Sequence, residues 1–341
     1  MRPPALLDLL DWLTSLAVSC LRAGPPAVSM AEKAWQHPSV LELFAETYVP
    51  KQIRESYDGE KRGFQNMRSS IQLVTDGLLQ LSTEFSKSES GRGCSAVAQT
   101  LDTFRNSRQL FDSFPACSDD GNAFHEFLGR LVMSINAMSC GSSLLIPGGW
   151  STGGARPDGW TPHVALLFVL HRRFNDTFSL AVCNNGDGSE YHITRVCERS
   201  AQLLKNLSYV LYHIPRARVA DSAIWFMILR PLVYRGRNGP SVLYEALLPY
   251  LNQQPLLSNH DHNYTSSSLP VNSDFSRIGV VMEALRHTLI YSGLTPAYAM
   301  HTSVLTELMF GKFLLAQLKG AGALPTSDAM TVRFIAQGKG L

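Results

Sequence analysis

The sequence predicts an α+β protein: a helical N-terminal half, then a small antiparallel sheet with flanking helices. Three observations carry this. Apolar residues recur at helical spacing up to about Met138. Three short β-type runs then follow, separated by Gly, Pro and Asn-Gly punctuation. Helical periodicity returns from about Asp274.

The first helix candidate places Leu6, Leu9, Leu10, Leu13 and Leu16 or Ala17 on one face, and Pro25-Pro26 ends it. A second follows Ser29 and carries Leu41, Leu43 and Phe44. A third, from about Glu60 to Phe85, spaces Phe64, Met67, Ile71, Val74, Leu78, Leu79 and Leu81. Ser86 to Gly93 reads as a loop. The fourth, Ala96 to Phe114, resumes the period with Val97, Leu101, Phe104 and Leu110. The fifth, Asn122 to Met138, follows Asp119-Asp120, whose charge suits a helix N-terminus. Ser143 to Trp150 (SLLIPGGW) reads as a strand entering a turn. His163 to His171 (HVALLFVLH) is almost unbroken apolar sequence, as expected of a strand covered on both faces. Phe178 to Asn184 returns as its neighbour after a polar turn, and a further β segment is expected near Ser208 to Ile214. Helices over Asp274 to Ile290 and Met300 to Leu318 close the chain. The expected partition is a helical domain over 1–138, an α+β domain over 139–320 and a tail over 321–341.

With 45% hydrophobic and 17% charged residues among 341, the chain can build a sizeable core. A net charge of +2, with Lys and Arg dispersed, predicts no nucleic-acid partner. Asp8 and Asp11 interrupt the apolar N-terminal stretch, unlike a secretory core. No apolar run reaches the ~18 residues that span a bilayer. The six cysteines form no C-x-x-C pair and fit reduced thiols, so a soluble cytoplasmic protein without membrane association is expected. The sequons at Asn175, Asn206 and Asn263 matter only in a secreted chain. Neither a phosphate-binding glycine loop nor H-E-x-x-H occurs, and His260, Asp261 and His262 read as a solvated loop, so no metal and no cofactor is expected.

His163 opens one strand and Asn184 closes the next, so an antiparallel hairpin brings the two ends side by side. A histidine oriented by a carboxamide is the supporting half of a thiol-hydrolase site. Register decides the pairing: His171 opposite Phe178 sets Asn184 on the His163 face, and a one-residue slip substitutes Asn185. The plain alternative is a backbone-bonded histidine beside two turn asparagines. No cysteine completes the site. Cys140 follows a helix instead of opening one, Cys183 faces away from Asn184, and Cys94, Cys117 and Cys197 lack supporting context. Ser276 stands at a helix start, where capping by Ser273 or Asp274 is the ordinary reading.

IPGGW (Ile146 to Trp150), PHVALLF (Pro162 to Phe168) and CNNGDGSEYH (Cys183 to His192) resemble the amino-terminal region of very large eukaryotic ubiquitinyl hydrolases. YEALLPYL (Tyr244 to Leu251) and MEALRHTLIYSGL (Met282 to Leu294) are similar as well, so the resemblance spans roughly residues 143–318. It implies a thiol-dependent deubiquitinase-like fold, ubiquitin or a ubiquitin-like protein as partner, His163 as base and Asn184 as its orienting group. Two departures stand against turnover. Pro162 replaces the glycine before the histidine, and Val271 to Ser276 holds neither the glutamine of an oxyanion hole nor the nucleophilic cysteine. Three readings follow: a deubiquitinase-type cysteine-hydrolase-like module, active or degenerate with Ser276 at the nucleophile position, a non-catalytic interaction or scaffold module, or a serine hydrolase using Ser276.

Overall fold

The computed structural model describes residues 59–86, 91–114, 121–151, 163–197, 203–234, 239–256, 268–270 and 277–306. The first two expected helices, His260 to His262 and the 321–341 tail lie outside them. The architecture is α+β. Helices α1 (Gly59–Ser86), α2 (Gly91–Ser113) and α3 (Gly121–Ala137) precede strands β1 (Ser143–Ser151), β2 (His163–Arg172) and β3 (Thr177–Cys183). After a 3-10 turn at Ser189–Tyr191 come β4 (Thr194–Val196), β5 (Leu203–Asn206), β6 (Ser208–Pro215), α4 (Arg216–Val219) and α5 (Ser222–Val233). A π-helical turn at Val242–Leu247 runs into α6 (Leu248–Asn252), followed by β7 (Ser268–Pro270) and α7 (Arg277–Tyr291). A last helix occupies 296–306.

Backbone contacts divide the chain into two units. The larger holds 58–75 and 95–296, and the smaller gathers 76–94 with 297–306 among the described residues. Residue 138, the expected boundary, lies inside the larger unit, so α3 and α2 from Ser95 onward belong with the sheet.

The principal sheet has the order β1-β2-β3-β6, all antiparallel. Its central strand explains its own composition. Phe168 meets Trp225 of α5 on one face, while His171 stacks on Tyr291 of α7 on the other. Both faces of β2 are therefore covered by helices, and alternation with polar residues is lost. A Cβ at Gly149 would overlap the Val164 carbonyl oxygen, so the Pro-Gly-Gly segment is what lets β1 lie against β2. Asp221 caps α5 by accepting from the Ala223 N–H at 2.8 Å. The π turn ends against Pro249, which has no N–H to return to the preceding turn. The Leu248 N–H reaches back to the Leu243 carbonyl instead. A second, smaller sheet has the order β4-β5-β7.

Candidate functional site

The β2–β3 register pairs Arg172 with Phe178, His171 with Ser179 and Leu167 with Cys183. This is the slipped register, which sets Asn185 rather than Asn184 on the His163 face. The ladder also stops at Cys183, while β2 continues to His163, whose cross-strand neighbour is Ser151 of β1. Extending the pairing would set Asn184 opposite Leu166, three residues or roughly 10 Å along the strand from His163. Of the two registers the sequence leaves open, the backbone takes the one that sets Asn184 away from His163. The cause is the turn, in which the Arg173 N–H bonds the Thr177 carbonyl and Asp176 takes a left-handed φ of 58°. Of the His163 side chain nothing is described, and Ser276 lies outside the described residues.

Asn184 builds a turn. Its Oδ1 accepts from the Gly186 N–H at 2.9 Å, and its Nδ2 donates to the Asp187 carbonyl at 2.8 Å and the Tyr244 hydroxyl at 3.3 Å. The side chain is fully buried. Gly188 continues the turn at φ 82°, where a Cβ would come within 2.7 Å of Pro240 and 2.8 Å of Trp150. The Trp150 indole N–H donates to Asp187 at 3.2 Å.

His192 closes this group. Its Nδ1 lies 3.0 Å from the Asn206 carbonyl, which can only accept, so Nδ1 carries the proton. Nε2 then accepts from the Tyr244 hydroxyl at 2.9 Å, and the Tyr244 oxygen accepts from Asn184. Every donor in this chain has an acceptor. Burial holds the His192 imidazole down at about 4 and pushes the Tyr244 hydroxyl well up, so both are neutral near pH 7. Tyr191 stacks on Tyr244 at 4.9 Å and donates to Glu245, which pushes its hydroxyl up to about 12.

A second polar group lies between the sheet and α7. Ser208, directly opposite Cys183 in the β3–β6 ladder, donates to Glu283 at 2.8 Å and lies 2.7 Å from His287 Nε2. Arg286 contacts the other Glu283 oxygen at 3.0 Å. Serine, histidine and carboxylate within reach of one another suggest a catalytic triad, but the arrangement is wrong for one. A triad carboxylate holds the ring nitrogen remote from the serine. Here Glu283 takes the serine proton itself and lies 3.5 Å from the same Nε2. Ser208, Glu283 and His287 are each 1% exposed, so no substrate reaches them. The group is a packed ion pair that ties α7 to β6. Burial, then Glu283, pushes the Cys183 thiol well above its ordinary range, which removes thiolate character.

A third group is His171, held 3.1 Å from Ser143 Oγ and 4.3 Å from the Tyr291 ring. Burial, then the charge of Arg173, lowers its imidazole to about 4. Cys140 is exposed in the turn after α3, and Cys94 and Cys197 are half-buried. Cys20 and Cys117 lie outside the described residues. Among the described residues no group of His, Cys, Asp or Glu is spaced to hold a metal, and no helix is long and apolar enough to cross a membrane.

Tyr244, Glu283, Arg286 and His287 were missed as polar anchors. All stand in apolar-rich helical sequence, and Asn184, His192 and Ser208, distant in sequence, are the partners that turn Tyr244, Glu283 and His287 into anchors. The chain matches no family model, no curated protein and no solved structure.

Proposed function

We propose that the chain is a ubiquitin-directed binding module on a thiol-hydrolase-like frame, without turnover. The observation that carries the absence of turnover is the commitment of Asn184. Its carboxamide bonds Gly186, Asp187 and Tyr244 in a fully buried turn, so it already serves a structural role away from solvent. The buried Cys183 thiol supports the same reading. The choice of ubiquitin rests on the resemblance of Ile146 to Trp150, Pro162 to Phe168 and Cys183 to His192, and on nothing else. Two measurements test it. Titration of 15N-labelled ubiquitin with the full chain is expected to give saturable shifts, while ubiquitin-aminomethylcoumarin releases no fluorophore above the buffer rate. Fluorophore release would overturn the non-catalytic reading. Unshifted ubiquitin resonances would overturn the ubiquitin reading. Labelling of Ser276 by a fluorophosphonate would favour a serine hydrolase instead.

A further inference from the structure

We propose that the end of the principal sheet around the β2–β3 turn is a docking surface for an acidic peptide segment that carries an apolar side chain. The proposal does not rest on the ubiquitin reading, because the residues concerned lie at the opposite end of β3 from Asn184.

Phe174, at the tip of that turn, is 87% exposed. A single exposed aromatic residue is ordinary, but this ring is held in place. It lies over Gly141, where a Cβ would come within 3.3 Å of its edge. Four arginines stand in this turn and in α4, which follows β6 at the same end of the sheet. Arg172 donates to the Met138 carbonyl and, at 2.6 Å, to Asp176. Arg216, which opens α4 just after Pro215 pairs with Thr177, lies 3.7 Å from the same Asp176 oxygen. Arg173 covers the Tyr212 ring at 5.7 Å, and Arg218 lies 4.4 Å over the Tyr250 ring. Asp221, the first carboxylate after Arg218 in sequence, is occupied as the α5 cap. Arg172 and Arg216 thus share the single Asp176 carboxylate while Arg173 and Arg218 lie over tyrosine rings, a local surplus of positive charge in a chain whose net charge is only +2.

Charge complementarity selects a carboxylate-bearing occupant, because a guanidinium fork matches a carboxylate in a two-point contact. Arginine and aromatic residues are also the types that dominate binding energy. Stacked or ion-paired arginines lose less side-chain freedom when they bind, which favours a preorganised surface. A peptide fits better than a nucleic acid. Tyr212 and Tyr250 already carry guanidinium groups over their rings, so Phe174 alone offers an open face, whereas single strands need successive stacking platforms.

The test uses the full chain and fluorescence anisotropy with a labelled peptide of alternating glutamate and leucine. Saturable binding is expected, weakened about tenfold in the Arg216→Gln/Arg218→Gln variant and about tenfold in Phe174→Ser. Unchanged thermal unfolding is expected in Phe174→Ser, whose side chain is exposed, so its loss of binding is not a loss of fold. Equal binding of a glutamine-for-glutamate peptide would overturn the proposal. So would unchanged binding by both variants, or tighter binding of a single-stranded oligonucleotide. Peptide binding in a chain that fails to bind ubiquitin would leave this proposal standing and reject only the other.

Discussion

Replacing Glu283 by leucine removes one charge from a pair that is almost wholly out of solvent. The side chains of Glu283 and Arg286 are 0% and 7% exposed, with 3.0 Å between their charged atoms. Ser208 loses its acceptor at 2.8 Å in the same step. Breaking a buried pair from one side costs about 3–5 kcal/mol, because the surviving charge stays buried without its partner. With a urea m-value of about 2.5 kcal/mol per M, the midpoint should fall by about 1 to 2 M. The double change Glu283→Leu/Arg286→Met removes both charges and should return to within about 1 kcal/mol of the parent. Trp150 and Trp225, both buried in the unit that holds the pair, report the transition by fluorescence. A single variant within about 1 kcal/mol of the parent, or a double variant no more stable than the single, would refute the reasoning.

Stability should also fall in mild acid. His171 and His192 have folded values near 4, below the ordinary 6.5, so between those limits the unfolded chain takes up protons that the folded chain refuses. The contribution is whole above pH 6.5 and shrinks as the pH drops toward 4, by roughly 2 kcal/mol per histidine at pH 5. Urea titrations at pH 7 and pH 5 measure it, and a His171→Gln/His192→Gln variant with the same slope as the parent would count against it. Gly188→Ala combines a left-handed φ of 82° with overlap against Pro240 and Trp150. It should cost about 2–4 kcal/mol in the same denaturation assay, and a neutral result would show that the turn is softer than described. Tyr244→Phe leaves His192 Nε2 without its donor and Asn184 without one acceptor. A loss of about 1–3 kcal/mol is expected in the same denaturation assay, and a neutral result would count against the Asn184–Tyr244–His192 network.

Sequence patterns revealed the sheet better than its registers. The unbroken run from Val164 to Leu170 marks a strand covered on both faces, and α5 and α7 cover it. The helix over Asn122 to Met138 is observed as α3 at Gly121–Ala137, because Phe124, Leu128, Leu131 and Ile135 make one continuous apolar stripe. The expected loop from Ser86 to Gly93 is partly helix, since α2 begins at Gly91. Helix α5 went unread: Ile224, Trp225, Phe226, Met227, Ile228 and Leu229 form a solid apolar run without polar spacing, and Pro231 argues against a helix. The choice between the two β2–β3 registers, left open by the sequence, rests on turn length, which hydrophobic runs do not specify when both faces are buried. A bulge in β6, where Tyr212 and His213 stand opposite Ser179, is equally invisible in sequence. The polar anchors were hidden for a related reason. Glu283, Arg286 and His287 have the spacing of a solvated helix face, and only the tertiary approach of Ser208 turns that face inward.

Asn184 as turn anchor and Cys183 as inert packing residue together predict a chain that does not attack ubiquitin. Intact-mass spectrometry after incubation with ubiquitin vinyl sulfone tests this most directly. An unmodified chain mass is the expected result, and a covalent ubiquitin adduct on any cysteine would contradict the account.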